Sequence, residues 1–533
     1  MCTRRDLTIL SLSVAFLVCL LLPLGLRAGQ STHDHAVPEN LGVVSFATSC
    51  KPDVQKDFER SVALLHSFAY SAAEASFRQV TEKDPNCAIA HWGVAITYFH
   101  QLWDPPIRQD TIPQGHEEIQ HAQEIGGGTE RERGFIRSLA LFYGWDFGAV
   151  PYRERVSKYE GAMGELAAAY PNDTESQVFY ALALLASASQ FDTAHVKQKH
   201  AVKILEPLFH EYMQHPGIAH YLIHACDNQE MARQGIDAAR AYSKIAPSAP
   251  HALHMPSHIF TRLGMWSDSV TSNLAARAAA HNQGDIGEEL HAMDYLVYAY
   301  LQEGREREAS EVIQQLKAMS NLDMGDFKIA YAATAMPARY AVERWQWAEA
   351  ASIVPPSGAP PHVTAVAVWA RAIGLARSNH YVSARQEVKK LRQLEQQLRA
   401  SGEDYAEYWA KQVEIQEVEA MAWSAQAEGE ADEARNLLRK AADAEDAVEK
   451  LPVTPGPVIP AREQLGELLL QQGQSGQALK EFQISLANFP KRRGAMIGLA
   501  RASEGLGMSA SHNYQRRTRI RRLQANGPTT GNW

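Results

Sequence analysis

The sequence predicts an all-α protein, an α-solenoid of antiparallel helix pairs that wind into a superhelix with a concave groove. Three observations lead to this prediction. Strand patterns are scarce, and amphipathic helical periodicity runs from about residue 52 to residue 523. Small, aromatic and proline residues also recur at the spacing of a repeat of about 34 residues that holds two helices. A repeat of this kind buries its apolar face only by stacking on its neighbours, so the whole run is expected to form one array.

Two segments show the repeat most clearly. When Ile459 is counted as position 1, Gly466 is at position 8, Phe482 at 24 and Pro490 at 32. In the unit that starts at Val54, positions 20, 24 and 32 hold Ala73, Phe77 and Pro85. A small residue lets the two helices of a pair approach, and the proline ends the second helix. The pattern resembles the tetratricopeptide repeat, so a TPR-like solenoid is expected.

The amino terminus has the pattern of an export signal. Arg4 and Arg5 precede a long apolar run, and Leu26-Arg27-Ala28 offers an imperfect cleavage site. The predicted organisation is a signal peptide over 1–28, an extended segment over 29–51, a helical solenoid over 52–508, and a basic carboxy-terminal helix and tail over 509–533. A periplasmic or secreted location in the bacterial cell envelope follows.

The charge of the chain argues against nucleic acid as a partner. The 533 residues carry a net charge of −9, and no basic face is spread along the repeats. Only the tail near Tyr514 to Leu523 is locally basic. Membrane contact is therefore expected only through an uncleaved signal or through this tail.

Three cysteines remain after the signal. In an oxidising compartment Cys50 and Cys87 are expected to form a disulfide, which would tie the extended segment to the second repeat. Cys226 is then expected to be a free, buried thiol.

Histidines recur at particular positions of three central repeats. In tetratricopeptide repeats, positions 2, 5, 9 and 12 of the first helix usually line the concave groove. In the unit from Pro216 these are Gly217, His220, His224 and Asp227. In the units from Pro250 and Leu290 they are His251, His254, His258 and Thr261, then His291, Asp294, Tyr298 and Leu301. Six of these twelve residues are histidine, whereas 21 histidines among 533 residues would place about half of one there.

This placement predicts that the histidines serve a site. Neutral imidazoles with carboxylates suit zinc, copper, nickel or iron, with Asp227 or Asp294 as a ligand or base. Two alternatives stay open: a hydrogen-bonded polar network in which the aspartates orient the imidazoles, and acid–base catalysis without a metal. Pro256 would kink its helix, or confine it to the residues that follow and leave His251 and His254 on a loop.

A second part of the groove is expected to bind a ligand through aromatic residues. The residues predicted to line it are His66, Trp92, His100, Trp103 and Tyr298. Packing of the same aromatic side chains in the core is the alternative.

Several longer blocks are more specific than a repeat consensus. They are "LLHSFAYSAAEASF", "DPNCAIAHWG", "HPGIAHYLIHACD", "APHALHMPSHIFTRLGMW", "HAMDYLVYAYLQ" and "PVTPGPVIPAREQLGELLL". With them the chain resembles bacterial secreted tetratricopeptide-repeat proteins that carry a central histidine-rich block. The resemblance implies the fold and export, and it implies no activity.

Two functions therefore compete. One is an exported scaffold that binds a ligand, a peptide or a protein partner in a groove lined by histidine and aspartate, and base rates for solenoids favour it. The other is a metal-binding protein or metalloenzyme, a hydrolase or an oxidase, that uses the histidine cluster. A shared metal site requires imidazole nitrogens from three helices to converge on one point.

Overall fold

The structure, a computed structural model, describes residues 40–102, 111–144, 150–403 and 405–508. Within these ranges the regular structure is helical and contains no strand. The whole of the predicted signal (1–28) and of the predicted tail (509–533), part of the segment 29–51, and Trp103 lie outside the described residues. No described helix is long and apolar enough to cross a membrane.

The helices follow one another along the chain with short connections. After a 3-10 turn at Pro52–Val54, the amino-terminal helices are α1 (Gln55–His66), α2 (Tyr70–Lys83), α3 (Ala88–Thr97), α4 (Ile112–Ile125), α5 (Glu130–Tyr143), α6 (Tyr152–Ala169), α7 (Thr174–Ala186) and α8 (Val196–Glu211). The central helices are α9 (Pro216–Cys226), α10 (Ile236–Ile245), α11 (Pro250–His254), α12 (Pro256–Arg262), α13 (Trp266–Gln283), α14 (Ile286–Glu303), α15 (Glu306–Ala318) and α16 (Phe327–Glu343). The carboxy-terminal helices are α17 (Trp347–Ala351), α18 (Pro361–Arg377), α19 (Tyr381–Ser401), α20 (Ala406–Glu428), α21 (Ala431–Glu445), α22 (Ala461–Gln471), α23 (Ser475–Asn488) and α24 (Arg493–Gly505).

Consecutive helices pack as antiparallel pairs and the pairs stack on one another, which confirms the TPR-like α-solenoid. The packing of Gly466 explains the small residue of the repeat. A methyl group on Gly466 would lie 2.7 Å from the ring of Phe482 on the partner helix. Gly93 meets Phe77 in the same way, at 2.3 Å. Both phenylalanine rings are buried, so the close approach of each pair of helices depends on the missing side chain.

The predicted disulfide between Cys50 and Cys87 is present, with Cα atoms 4.9 Å apart. It links the extended segment before α1 to the start of α3. Beside it, the backbone N–H of Lys51 donates to the carboxylate of Asp84 at 2.8 Å. Cys226 is free and buried, as expected.

An irregular segment of turns and bends between α21 and α22 packs against the central repeats. We call residues 449–458 the inner segment. The Tyr295 hydroxyl on α14 lies 3.2 Å from the carbonyl oxygen of Thr454, and Arg339 on α16 donates to the carbonyl of Pro457 at 3.0 Å. Lys450 pairs with Asp227 at 2.7 Å. Part of the chain itself therefore bonds to side chains of α14 and α16 and to Asp227 after α9.

Candidate metal centre

Helix α9 presents two histidines on one face. Pro216 stands at its first turn, and the His215 ring accepts a hydrogen bond from the backbone N–H of Ile218, which caps the start. His220 and His224 are four residues apart and so point to the same side.

Pro256 divides the next first helix into α11 and α12, as its ring requires. Met255 between them keeps helical backbone angles, with φ −52° and ψ −34°. The chain direction is preserved across the break, and His251, His254 and His258 stay on one side. His251 and His254 therefore lie on a short helix, not on a loop.

The six histidines form two clusters. We call His220, His224 and His251 cluster A, and His254, His258 and His291 cluster B. In each cluster one ring nitrogen from every member lies within 4.8 Å of the others. All six side chains are buried, from 0% exposed for His220 to 8% for His224. Three helical layers, α9, α11–α12 and α14, thus contribute to one histidine site.

The closest contacts in the clusters join Nε2 atoms. His220 Nε2 lies 3.1 Å from His224 Nε2 and 3.2 Å from His251 Nε2. In cluster B, His254 Nε2 lies 3.0 Å from His258 Nε2. Two nitrogens that each lie about 2.0–2.1 Å from one zinc ion are separated by roughly 2.9–3.4 Å when the angle at the ion is near 90–110°. The observed separations match those of ligands to a single ion.

The Nδ1 atoms of several rings are held by acceptors around the clusters. His220 Nδ1 lies 2.7 Å from the carbonyl oxygen of His66, which can only accept. His258 Nδ1 lies 2.9 Å from the carboxylate of Asp227. In both rings the proton therefore resides on Nδ1, and the lone pair of Nε2 faces into the cluster.

His254 is fixed in the same tautomer by an amide. Its Nδ1 lies 2.6 Å from Oδ1 of Asn273. The Asn273 side-chain NH2 donates to the carbonyl of Ser269 at 2.7 Å, so this amide can present only its oxygen to the imidazole. His254 and His258 thus turn Nε2 lone pairs toward each other.

Burial keeps these imidazoles neutral. Desolvation and, secondarily, the neighbouring histidines hold the pKa values of His220, His224, His254 and His291 well below 6.5. Burial also lowers the pKa of His258 to about 4, against the opposing effect of the hydrogen bond that its Nδ1–H donates to Asp227. Neutral imidazole is the form that binds a metal ion.

Asp227 orients a histidine and does not join either cluster. Beyond its contact with His258, its carboxylate accepts from Arg262 Nε at 2.9 Å and from Lys450 Nζ at 2.7 Å. Burial alone would raise the pKa of Asp227, but Lys450, Arg262 and His258 together hold it well below its usual range. The expectation that Asp227 could be a metal ligand is replaced by this supporting role.

Asp294 also lies outside both clusters. It is three residues from His291, but its buried carboxylate faces Arg339, whose Nε is 3.8 Å away, and it makes no hydrogen bond. Burial raises the pKa of Asp294 to about 6. Asp294 lies only about 60° around α14 from His291, but its carboxylate is turned toward Arg339 and not toward the imidazoles.

The other residues expected to line a groove are mostly in the core. His66 and Trp92 are fully buried, and Trp92 packs against Phe135 with ring centroids 5.2 Å apart. Tyr298 is buried and accepts a hydrogen bond from Arg492 at 3.0 Å. These three side chains do not form an aromatic floor of an open groove, because neighbouring segments cover them.

His100 is half-buried and stacks on Tyr70 with centroids 4.0 Å apart. The remaining member of that group, Trp103, is outside the described residues.

A second buried set of ligating groups shows what a satisfied network looks like in this protein. Glu175 accepts from His66 Nε2 and from His215 Nε2, each at 2.9 Å. Burial opposes ionisation, yet the two histidines hold the pKa of Glu175 well below its usual value. Every close contact in this set pairs a donor with an acceptor, in contrast to the Nε2–Nε2 contact of His254 and His258.

A cavity of about 140 Å³ lies beside the inner segment. Aromatic and charged side chains line it, among them Tyr331, His362, Trp409, Glu445 and Lys450. The His362 ring stacks on Trp409 with centroids 4.3 Å apart, and its buried Nε2 makes no hydrogen bond. Sequence reasoning missed this site because residues more than 100 positions apart form it.

No family profile and no curated protein matches the chain. Similar solved structures include the Cut9–Hcn1 hetero-tetramer of the APC/C (12% identity, TM-score 0.34, 84% of this chain and 76% of that chain). They also include yeast Tom70 (11%, 0.31, 88% and 91%) and an IFIT1 monomeric mutant with Gppp-AAAA (10%, 0.36, 86% and 96%). TM-scores this low carry no argument about the function of this chain. Its own stacked helix pairs define its class, an α-solenoid of helical repeats.

Proposed function

We propose that this protein binds transition-metal ions through clusters A and B. The observation that carries the proposal is the contact between His254 and His258. Their Nδ1 protons are committed to Asn273 and Asp227, so their Nε2 lone pairs face each other at 3.0 Å. A metal ion between them turns this repulsion into two bonds.

A purely hydrogen-bonded network accounts less well for the clusters. It would need an additional proton between the two Nε2 atoms, which would make one ring an imidazolium. Burial of these rings opposes that charge, as the lowered pKa of His258 shows. Around Glu175, by contrast, the chain supplies a carboxylate that accepts from both neighbouring histidines, and no carboxylate lies between His254 and His258.

The donor set narrows the metal. Imidazole suits zinc, copper, nickel and iron, whereas calcium and magnesium require oxygen ligands. Three histidines for each ion would leave a coordination position for water or a substrate, as in catalytic sites. A hydrolase or an oxidase is the class of enzyme such a site would support.

The test is elemental analysis of the signal-free protein, purified without a polyhistidine tag and reconstituted with zinc, copper, nickel or iron. Near-stoichiometric metal is expected in the parent and loss of it in H220A/H258A. The matched control is H91A/H121A, which removes two histidines from a different group with ligand geometry and should keep the metal. A parent that stays metal-free after reconstitution would refute the proposal.

The scaffold function remains a second candidate, at a different place from the expected groove. The cavity beside His362 favours it, because a buried ring nitrogen without a hydrogen bond is available to a ligand there. Any peptide or protein partner would have to use surfaces that the inner segment leaves uncovered. Crosslinking in cell envelopes, compared between the parent and H362A, would test whether this cavity takes part in binding.

An envelope location is part of the proposal. Arg4, Arg5 and the apolar run after them support export, and the Cys50–Cys87 disulfide suits an oxidising compartment. Fractionation of cells that express the full chain would check it, with a processed protein in the periplasm or medium as the expected result.

A further inference from the structure

Clusters A and B are contiguous. His251 and His254 are three residues apart on α11 and belong to different clusters, with ring centroids 6.2 Å apart. The ring centroids of His224 in cluster A and His258 in cluster B are 6.0 Å apart. Within cluster B itself, the ring centroids of His258 and His291 are 6.4 Å apart. The spacing between the clusters is therefore no larger than the spacing inside one of them, and two bound ions would share one site.

The surroundings of this site supply almost no negative charge to bound ions. Neither cluster contains a carboxylate. Asp227, the acid that contacts cluster B, is already paired with Arg262 and Lys450.

The acid beside cluster A is Glu288, 3.4 Å from His251 Nδ1. It is paired with Lys328 at 3.5 Å. Arg262, one of the partners of Asp227, is shared with Glu449 at 3.2 Å, so ions in the two clusters would be buried against a local charge near zero.

The energetic cost of burying an ion rises with the square of its charge. Two divalent ions would place four positive charges in a buried, all-imidazole site with no anionic ligand, whereas two monovalent ions would place two. Copper is the metal of the candidate group that has a stable monovalent state, and it accepts imidazole ligands.

We infer that the six histidines form one dinuclear centre that takes two Cu(I) ions. The inference rests on the proposed metal-binding function. The inference adds three things to that function: the number of ions, the identity of the metal and its oxidation state.

The experiment offers equimolar Cu(I) and Zn(II) to the metal-free, signal-free protein without oxygen, followed by desalting and elemental analysis. A six-histidine peptide, whose imidazoles are exposed to water, is treated in the same way as a reference. Two copper ions per chain are expected, with a copper-to-zinc ratio at least tenfold above that of the peptide. X-ray absorption should show Cu(I) with nitrogen ligands only.

A charge variant gives an independent readout. Lys450→Met removes a cation that balances Asp227 and touches no cluster histidine in a hydrogen bond. It should lower the preference for Cu(I) over Zn(II) several-fold, while Lys480→Met on the distant α23 should leave it unchanged.

The outcomes separate this inference from the proposed function. Preferential uptake of zinc would overturn the copper assignment, and a limit of one ion per chain would overturn the dinuclear centre, while metal binding itself would stand in both cases. Absence of any bound metal would overturn both.

Discussion

The Nε2 atoms of His254 and His258 lie 3.0 Å apart across the break at Pro256, and the protons of both rings are on the opposite nitrogens. The contact is maintained by groups around the rings, Asn273 and Asp227, each of which accepts from one Nδ1–H. A site built in this way depends on its supporting residues as much as on its ligands.

Asn273→Ala is therefore expected to weaken metal binding by about 10–100-fold, because His254 loses the acceptor that fixes its tautomer and orientation. A chelator competition titration measures the change. Asn282→Ala replaces an exposed asparagine on the same helix and should have no effect. Equal affinities for the parent and N273A would show that Asn273 does not position the ligand.

Gly466→Ala should destabilise the protein. The new methyl group would meet the Phe482 ring at 2.7 Å, and overpacking of this kind costs about 1–3 kcal/mol. Gly161→Ala in α6 adds the same group with nothing within 4 Å and should stabilise by about 0.5–1 kcal/mol, the gain in helix propensity. Thermal unfolding followed by circular dichroism compares the melting temperatures of the two variants. If both shift in the same direction, the contact between position 466 and Phe482 does not decide the stability of this pair of helices.

Glu175→Gln should be destabilising near neutral pH, by about 1–3 kcal/mol, because an amide keeps only one of the two carboxylate oxygens that accept from His66 and His215, and leaves a buried donor unpaired. The pKa of Glu175 is lowered in the folded state. Its contribution is therefore present above the unfolded pKa near 4.5 and is lost as the pH falls below that value. In urea unfolding between pH 3 and pH 7, the free energy of unfolding should fall more steeply with acid for the parent than for E175Q. Parallel curves would argue that this carboxylate is not charged in the fold.

Reduction of the Cys50–Cys87 disulfide should cost roughly 4 kcal/mol, the chain-entropy value for a loop that joins residues 37 positions apart. The melting temperature of the oxidised parent should fall when a reductant is added. That of C50S/C87S should not respond to the reductant. Cys226→Ala, which leaves the disulfide intact, should respond as the parent does.

Tyr295→Phe should loosen the inner segment. The hydroxyl of Tyr295 contacts the carbonyls of Thr454 and Pro452, and its loss should cost about 1 kcal/mol. Hydrogen–deuterium exchange should accelerate over 449–458 and stay unchanged over α2. Unchanged exchange in the inner segment would mean that Arg339 and Lys450 suffice to hold it.

Much of this architecture could be predicted from local patterns. The small residue at Gly466, the aromatic residue at Phe482 and the proline that follows specify a helix pair within one repeat, because both helices are close in the chain. The same periodicity placed six histidines on one side of three successive first helices, and neighbouring repeats stack in a fixed order. The disulfide was expected from the predicted oxidising compartment and from the three cysteines that would remain after the predicted signal.

The sequence by itself determined the class of fold, the disulfide partners and the set of histidines that meet. Tertiary structure alone decided which atoms of those histidines face one another, that Asp227 and Asp294 stand outside the clusters, and that residues 449–458 bond to the central helices. The reason is distance along the chain. Periodicity reports the face of a helix, whereas Asn273, Lys450 and Arg262 reach the site from other elements, and only the packed fold brings their hydrogen bonds to it.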